Sequence, residues 1–157
     1  MVSAVRGSRV AVNVSLSTVF GCPMEGDINA FEVFELVGRF AALGVDGVTL
    51  CDTTGMAYPT QVEKIGQEVR RLFPGLTTTM HFHNTRGMAL ANVLASIAAG
   101  ADRFDASIGG LGGCPYAKGA TGNVATEDVV YLLEGLGIST GIDLQRLVEA
   151  GAFISAH

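Results

Sequence analysis

Basic charge is scarce in this sequence. Its 10 Lys and Arg residues are scattered and outnumbered by 15 Asp and Glu, for a net charge of −5, so the basic stripe of a nucleic-acid binder is absent. Cysteine is also sparse: Cys22, Cys51 and Cys114 form no Cys-x-x-Cys pair. That excludes a disulfide framework and a closed structural zinc site and predicts free thiols. Two of them sit in Gly-Cys-Pro loops, Gly21-Cys22-Pro23 and Gly113-Cys114-Pro115, where a thiol can be open to solvent and reactive rather than buried filler. No apolar run is long enough to span a bilayer; the positive mean hydropathy comes from Ala, Val and Leu spread through short amphipathic pieces. Met1 to Val10 carries no apolar signal core, so a soluble, cytoplasmic protein with no membrane partner is the default expectation.

What is present suits a buried core: 157 residues, 48% of them hydrophobic, suggest one domain. Val10 to Leu16 is short and β-branched and runs into a Gly- and Pro-containing loop, as a buried strand would. Asp27 is placed to cap a helix in which Ile28, Phe31, Val37 and Phe40 recur at helical spacing until Gly44 offers a left-handed stop. Gly47 to Cys51 repeats the strand pattern, and Pro59 opens a second helix with Val62, Ile65, Val69 and Leu72 on one face. Leu76 to Phe82, Met88 to Ala99 and Arg103 to Ile108 read as strand, helix and strand. After a glycine-rich loop, Thr126 is placed to cap a helix with Glu127 and Asp128 in its first turn, and Asp143 to cap a last one.

Such alternation requires a parallel sheet covered by helices, as in an open doubly wound sheet or a (β/α) barrel. Gly21 to Gly26 lacks the G-x-G-x-x-G spacing expected after the first strand of a nucleotide-binding sheet. In a barrel, each strand's C-terminal end is available for chemistry, and polar groups gather there: Asp52, His81, His83, Cys114 and Asn123, all expected at one rim. That favours a barrel. A complete one needs about 250 residues, so this chain supplies about half the staves and leaves open edges that something must cover.

His81-Phe82-His83 is the sharpest local signal, because alternate residues of a strand share a face and two imidazoles so placed can hold one metal ion. With oxygen ligands they suit Mn²⁺, Zn²⁺, Fe²⁺ or, less ideally, Mg²⁺ in an open catalytic site; a pair of rim histidines binding nothing is the plainer reading. Gly109 to Ala117 can let backbone approach a ligand, move as a lid, or merely connect. Cys114 within it could exchange protons with a substrate. Asn123 could lend an amide oxygen to a metal, though on its own a turn role is favoured. Asp52 could be a base, a partner fixing a histidine, or a turn aspartate.

Taken together, Phe20-Gly21-Cys22-Pro23, Asp52-Thr53-Thr54-Gly55, His81-Phe82-His83-Asn84-Thr85, Gly110 to Ala117, and Gly122 to Asp128 resemble the 3-hydroxy-3-methylglutaryl-CoA lyase family. Tyr131 to Gly137 continues the likeness. The resemblance implies an α/β fold, a partial TIM (β/α)8 barrel containing roughly the last four β/α units, with residues 1–157 forming the C-terminal half of the lyase domain. It implies a divalent metal, Mg²⁺ or Mn²⁺, on His81, His83 and Asn123, with one more ligand from an aspartate near the first strand of the family's barrel. That aspartate and its neighbouring arginine have no counterpart here. It also implies an acyl-CoA substrate, cleaved to acetyl-CoA and acetoacetate, with Cys114 as the active-site cysteine and Asp52 and Glu127 as acidic residues near the centre. Asn84 departs from the family's usual His-x-His-Asp-Thr, which alters the hydrogen bonding around the ligands but not the ligand set. Little or no activity is therefore expected of the chain alone. It would need a complementing N-terminal half; the alternatives are an inactive half barrel that pairs with another copy, or a related metal-dependent aldolase or acyl-CoA condensing enzyme.

Overall fold

β-branched segments and amphipathic segments alternate along the chain, and in a computed structural model, which describes residues 2–5, 7–113 and 122–156, they become strands and helices in turn. The order is α1 (Val2–Val5), β1 (Asn13–Leu16), α2 (Ala30–Leu43), β2 (Gly47–Asp52), α3 (Pro59–Leu72), β3 (Thr77–Phe82), α4 (Ala89–Ala98), β4 (Phe104–Asp105), α5 (Thr126–Gly135) and α6 (Leu144–Ser155). The four strands are all parallel and lie side by side in chain order. Neighbouring parallel strands need a crossover, and α2, α3 and α4 supply them. The architecture is the expected one, α/β and part of a (β/α)8 barrel.

Several boundaries differ from the sequence reading, each for a local reason. The first strand starts at Asn13, because the Val12 amide donates to the Asp46 carboxylate instead of to a ladder. Asn29, not Asp27, caps α2, its Oδ1 accepting from the Phe31 amide at 3.0 Å. Thr126 is the first residue of α5 and makes no side-chain cap, whereas Asp143 does cap α6, accepting from the Arg146 amide. The fourth strand is two residues long, since Ser107 leaves β3 to pair with Ala125 and Ile108–Gly110 coils into a single 3₁₀ turn.

Burial separates the two faces of the sheet. Along β3, Thr78, Met80 and Phe82 are buried while Thr77, Thr79 and His81 are half-buried, the two-residue alternation of a strand. Met80 and Phe82 join Val48 and Leu50 of β2 in a core with Val37 of α2, Val62, Ile65 and Val69 of α3, and Val93 of α4. Burying each such side chain contributes roughly 1.5–3 kcal/mol. Register then assigns the polar residues: Cys51, His81 and Asp105 are paired neighbours on one face, and Asp52 is paired with Phe82 on the helix-covered face. β1 and β4 each have one strand partner. Beside β1 runs a groove of about 450 Å³ lined by Val12, Val14, Phe40 and Val45, and beside β4 one of about 530 Å³ lined by Phe104, Val129, Leu133 and Ile142.

Candidate active site

Phe82 is anchored in the core, its ring 6.0 Å from that of Phe20, so the strand's alternation forces His81 and His83 out on the other face. Their ring centroids lie 5.3 Å apart, edge to face. Burial lowers the pKa of His81, against the opposing pull of Asp105 and of the Asn123 side chain. Burial and then the nearby His81 lower that of His83, which is only 8% exposed. Both rings are therefore neutral at physiological pH, each with one nitrogen lone pair to give, the form in which imidazole binds metals.

Asn123 is carried to this pair by the chain's return from the glycine-rich loop. It forms an antiparallel bridge with His83, flanked by the Val124 amide donating to the Phe82 carbonyl and the Asn84 amide donating to the Gly122 carbonyl, both at 3.0 Å. The Asn123 Nδ2 donates to the Leu111 carbonyl at 2.8 Å. A carbonyl accepts only from a donor, so the amide's orientation is fixed and Oδ1 is turned away from the loop. That Oδ1 is buried without a hydrogen-bond partner among the described residues, and so is Nδ1 of His83. Two buried atoms on bridged residues without a hydrogen-bond partner among the described residues, with the His81 ring close enough to Asn123 to be influenced by its side chain, suit a divalent cation. The residues present fit the metal that the sequence resemblance implies.

Asp52 lies at the same rim but on the other face of the sheet. Its Oδ1 accepts from the amides of Met56 at 2.7 Å and Ala57 at 3.1 Å, stapling the loop between β2 and α3. From the next loop, Arg86 donates to the carbonyls of Thr54 and Gly55. Burial pushes the Asp52 carboxyl up from its usual 3.8 to about 6, against the lowering effect of the Met56 and Ala57 amides, Arg86 and the Gly55 amide. Glu127 likewise holds a loop, both carboxylate oxygens accepting from the Gly109 amide at 3.0 and 2.9 Å.

Cys114 lies outside the described residues. Cys22 is buried, so of the two readings its loop allowed, an accessible thiol and buried filler, the structure shows the second; Cys22 and Gly26 form an antiparallel bridge. Cys51, which the motifs did not single out, is buried beside His81, and its thiol is pushed up to about 11, chiefly by burial and then by Asp105 and Asp52. Sequence reading also passed over Arg86 and Asp105. Asp105 falls in the middle of the strand expected over Arg103 to Ile108, and only the observed shortening to Phe104–Asp105 brings it to the strand's end.

The Asp52 carboxyl predicts a pH effect. Its pKa is higher folded than unfolded, so the fold favours the protonated acid. That contribution is complete below the unfolded value of 3.8 and is lost as pH rises through about 6. Between pH 4 and 7 the loss is on the order of 2–3 kcal/mol. Asp52→Asn keeps an oxygen for the two loop amides and removes the titration. Urea denaturation should show the wild-type chain losing stability relative to this variant as pH rises across that window. A constant difference between the two would show that Asp52 does not titrate there.

The sequence matches the HMGL-like family over residues 2–154. The chain belongs to that family. It is 44% identical over 98% of its length to the mitochondrial hydroxymethylglutaryl-CoA lyase of Gallus gallus, covering 52% of that protein. It is 41% identical, again over 98%, to the cytoplasmic 3-hydroxy-3-methylglutaryl-CoA lyase of Rattus norvegicus, covering 45% of it. An HMG-CoA lyase from Acinetobacter baumannii, solved in complex with coenzyme A and 3-methylmalate, superposes on 99% of the chain with a TM-score of 0.91 and 48% identity, over 50% of its own length. The carboxyl transferase domain of Rhizobium etli pyruvate carboxylase, at 20% identity and a TM-score of 0.76, shares the fold. The chain thus spans about half the length of the curated relatives it matches. Those relatives are named as both mitochondrial and cytoplasmic proteins, and among the described residues no helix is long and apolar enough to cross a membrane.

Proposed function

We propose that the chain is the C-terminal half of a hydroxymethylglutaryl-CoA lyase barrel, carrying three of its metal ligands, His81, His83 and Asn123. The observation that carries this reading is the pair of buried atoms, His83 Nδ1 and Asn123 Oδ1, that have no hydrogen-bond partner among the described residues, on bridged residues beside His81. Mg²⁺ or Mn²⁺ is the ion we assign. When bound, it supplies Lewis-acid polarisation of substrate oxygens.

The substrate is 3-hydroxy-3-methylglutaryl-CoA. A base takes the C3 hydroxyl proton, the C2–C3 electron pair passes to the leaving acetyl-CoA enolate, and that enolate gains a proton, giving acetyl-CoA and acetoacetate. Cys114 is assigned to proton exchange with the substrate. Asp52 and Glu127 are assigned to holding the loops around it, because their carboxylates are engaged with the amides of Met56, Ala57 and Gly109. The family's first-strand aspartate and arginine fall in the half of its relatives that the chain does not span. Alone, the chain should therefore release little acetoacetate.

Titration with Mn²⁺, followed by electron paramagnetic resonance, tests the ligand set directly. Binding by the chain that is lost in His83→Ala supports it, and absence of saturable binding refutes it. Cleavage of a 4-hydroxy-2-oxo acid in place of the thioester, in a completed barrel, would move the assignment to a related aldolase.

A further inference from the structure

The last helix has been given no part in the site, yet it touches the residues that hold it. α6 packs against α5 and against the 3₁₀ turn of Ile108–Gly110, and its buried Gly151 lies at that contact. A Cβ on Gly151 would meet Oε1 of Glu127 at 2.5 Å, nearer than real Cβ contacts come, and the Ile108 side chain at 3.4 Å. The helix backbone is thus seated directly on the Glu127 carboxylate. Both oxygens of that carboxylate accept from the Gly109 amide. Gly109 and Gly110 have φ of +60° and +66°, so the chain folds back at once, the Gly110 amide donating to the Ser107 carbonyl at 3.0 Å and the Leu111 amide to the Ile108 carbonyl at 3.1 Å. The Leu111 carbonyl then takes the Asn123 Nδ2 at 2.8 Å. The turn also lies against Asn123 itself, since a Cβ on Gly110 would come within 2.9 Å of the Asn123 carbonyl oxygen.

We propose that Gly151 is a positioning residue for the site: having no side chain, it lets α6 close over Glu127 and keep that carboxylate on Gly109, which fixes the turn that aims the Asn123 amide oxygen. This rests on Asn123 being a ligand, as proposed above. The atom that a methyl group on Gly151 would strike is the far end of a flexible side chain, not backbone. Glu127 can swing aside, so Gly151→Ala costs the fold little, and alanine is the better helix former. What the substitution removes is the hold on Gly109.

Amide NMR on the ¹⁵N-labelled chain without metal reads this coupling. In Gly151→Ala the Gly109 amide should exchange with solvent roughly 10-fold faster than in the wild-type chain, and the Asn123 side-chain amide signals should shift. Glu127→Ala should do the same with Gly151 in place. Adding Gly151→Ala to Glu127→Ala should change nothing further, because the methyl group has lost the atom it displaces. Mn²⁺ affinity should fall roughly 10-fold in each single variant. Gly135→Ala, in α5 where a Cβ would meet nothing within 4 Å, should leave both amides as they are.

A glycine needed only for close packing would lower the urea midpoint in Gly151→Ala and leave the Gly109 amide protected; that result overturns the inference. So does an effect of Gly151→Ala on Asn123 that persists undiminished when Glu127 is already alanine. If both amides respond as expected in a chain that binds no Mn²⁺, the coupling of Gly151 through Glu127 to Asn123 stands and the metal reading falls instead.

Discussion

Mixed with a second chain carrying the first four β/α units of a hydroxymethylglutaryl-CoA lyase, this chain is expected to release acetoacetate from 3-hydroxy-3-methylglutaryl-CoA in the presence of Mn²⁺. The same mixture made with His83→Ala is expected to be slower by on the order of 10³-fold, which corresponds to the several kcal/mol that a lost Lewis acid costs. The physical case for association lies at the sheet's two edges. Among the described residues β1 and β4 each have one strand neighbour, and each borders a groove where a further stave and its helix would pack, apolar beside β1 and mixed beside β4, where Asp102, Thr126 and Thr140 join the apolar lining. Open edges of this kind attract strands. The case for His83 lies in its burial and in its Nδ1, which has no hydrogen-bond partner among the described residues and which no alanine can replace. His83→Gln serves as the folding control, since it keeps most of the volume and a polar end. Sedimentation separates the outcomes. A one-to-one complex that turns over establishes a split lyase. A stable homodimer that excludes the second chain and never turns over would establish a structural half barrel.

The sequence displayed the fold where one physical rule dominates. Pro59 opened α3 and Gly44 closed α2 with a positive φ, as spacing and backbone chemistry require. It misled where two rules compete. Asp27 and Asn29 are both good caps, and the one whose oxygen reaches an amide of the first turn won. The fourth strand looked six residues long by composition, but non-local pairing of Ser107 with Ala125 cut it to two. At the site, alternation along β3 made His81 and His83 legible. Side-chain face relative to a neighbouring strand was not legible for Asp52, because register is a property of two strands and a single segment does not state it. Asn123 was ambiguous for the same reason: its amide becomes interpretable once Leu111, twelve residues earlier, is seen to take its donor.

Gly122→Ala should disable the site from a position that bears no side chain. Gly122 has a φ of +99°, a conformation costing other residues about 1–3 kcal/mol. A Cβ there would meet the Gly112 carbonyl oxygen at 2.6 Å and crowd the Gly110 carbonyl oxygen as well. Both are backbone atoms and neither swings aside. The Gly112 carbonyl also accepts the Asn123 amide at 3.1 Å, and the Gly122 carbonyl accepts that of Asn84, so the clash falls where the loop is tied to the end of β3. Destabilisation on the order of 3 kcal/mol is expected, together with loss of saturable Mn²⁺ binding, because displacing this segment moves Asn123 Oδ1 away from His83. Gly75→Ala is the matched control: its Cβ would meet nothing within 4 Å, and it should leave the urea midpoint and the Mn²⁺ titration close to wild type. If both variants behave alike, the glycine-rich loop is a loose connector and Asn123 is not held by it. If only Gly122→Ala fails, the glycines are there to bring two backbones close enough to aim one amide oxygen.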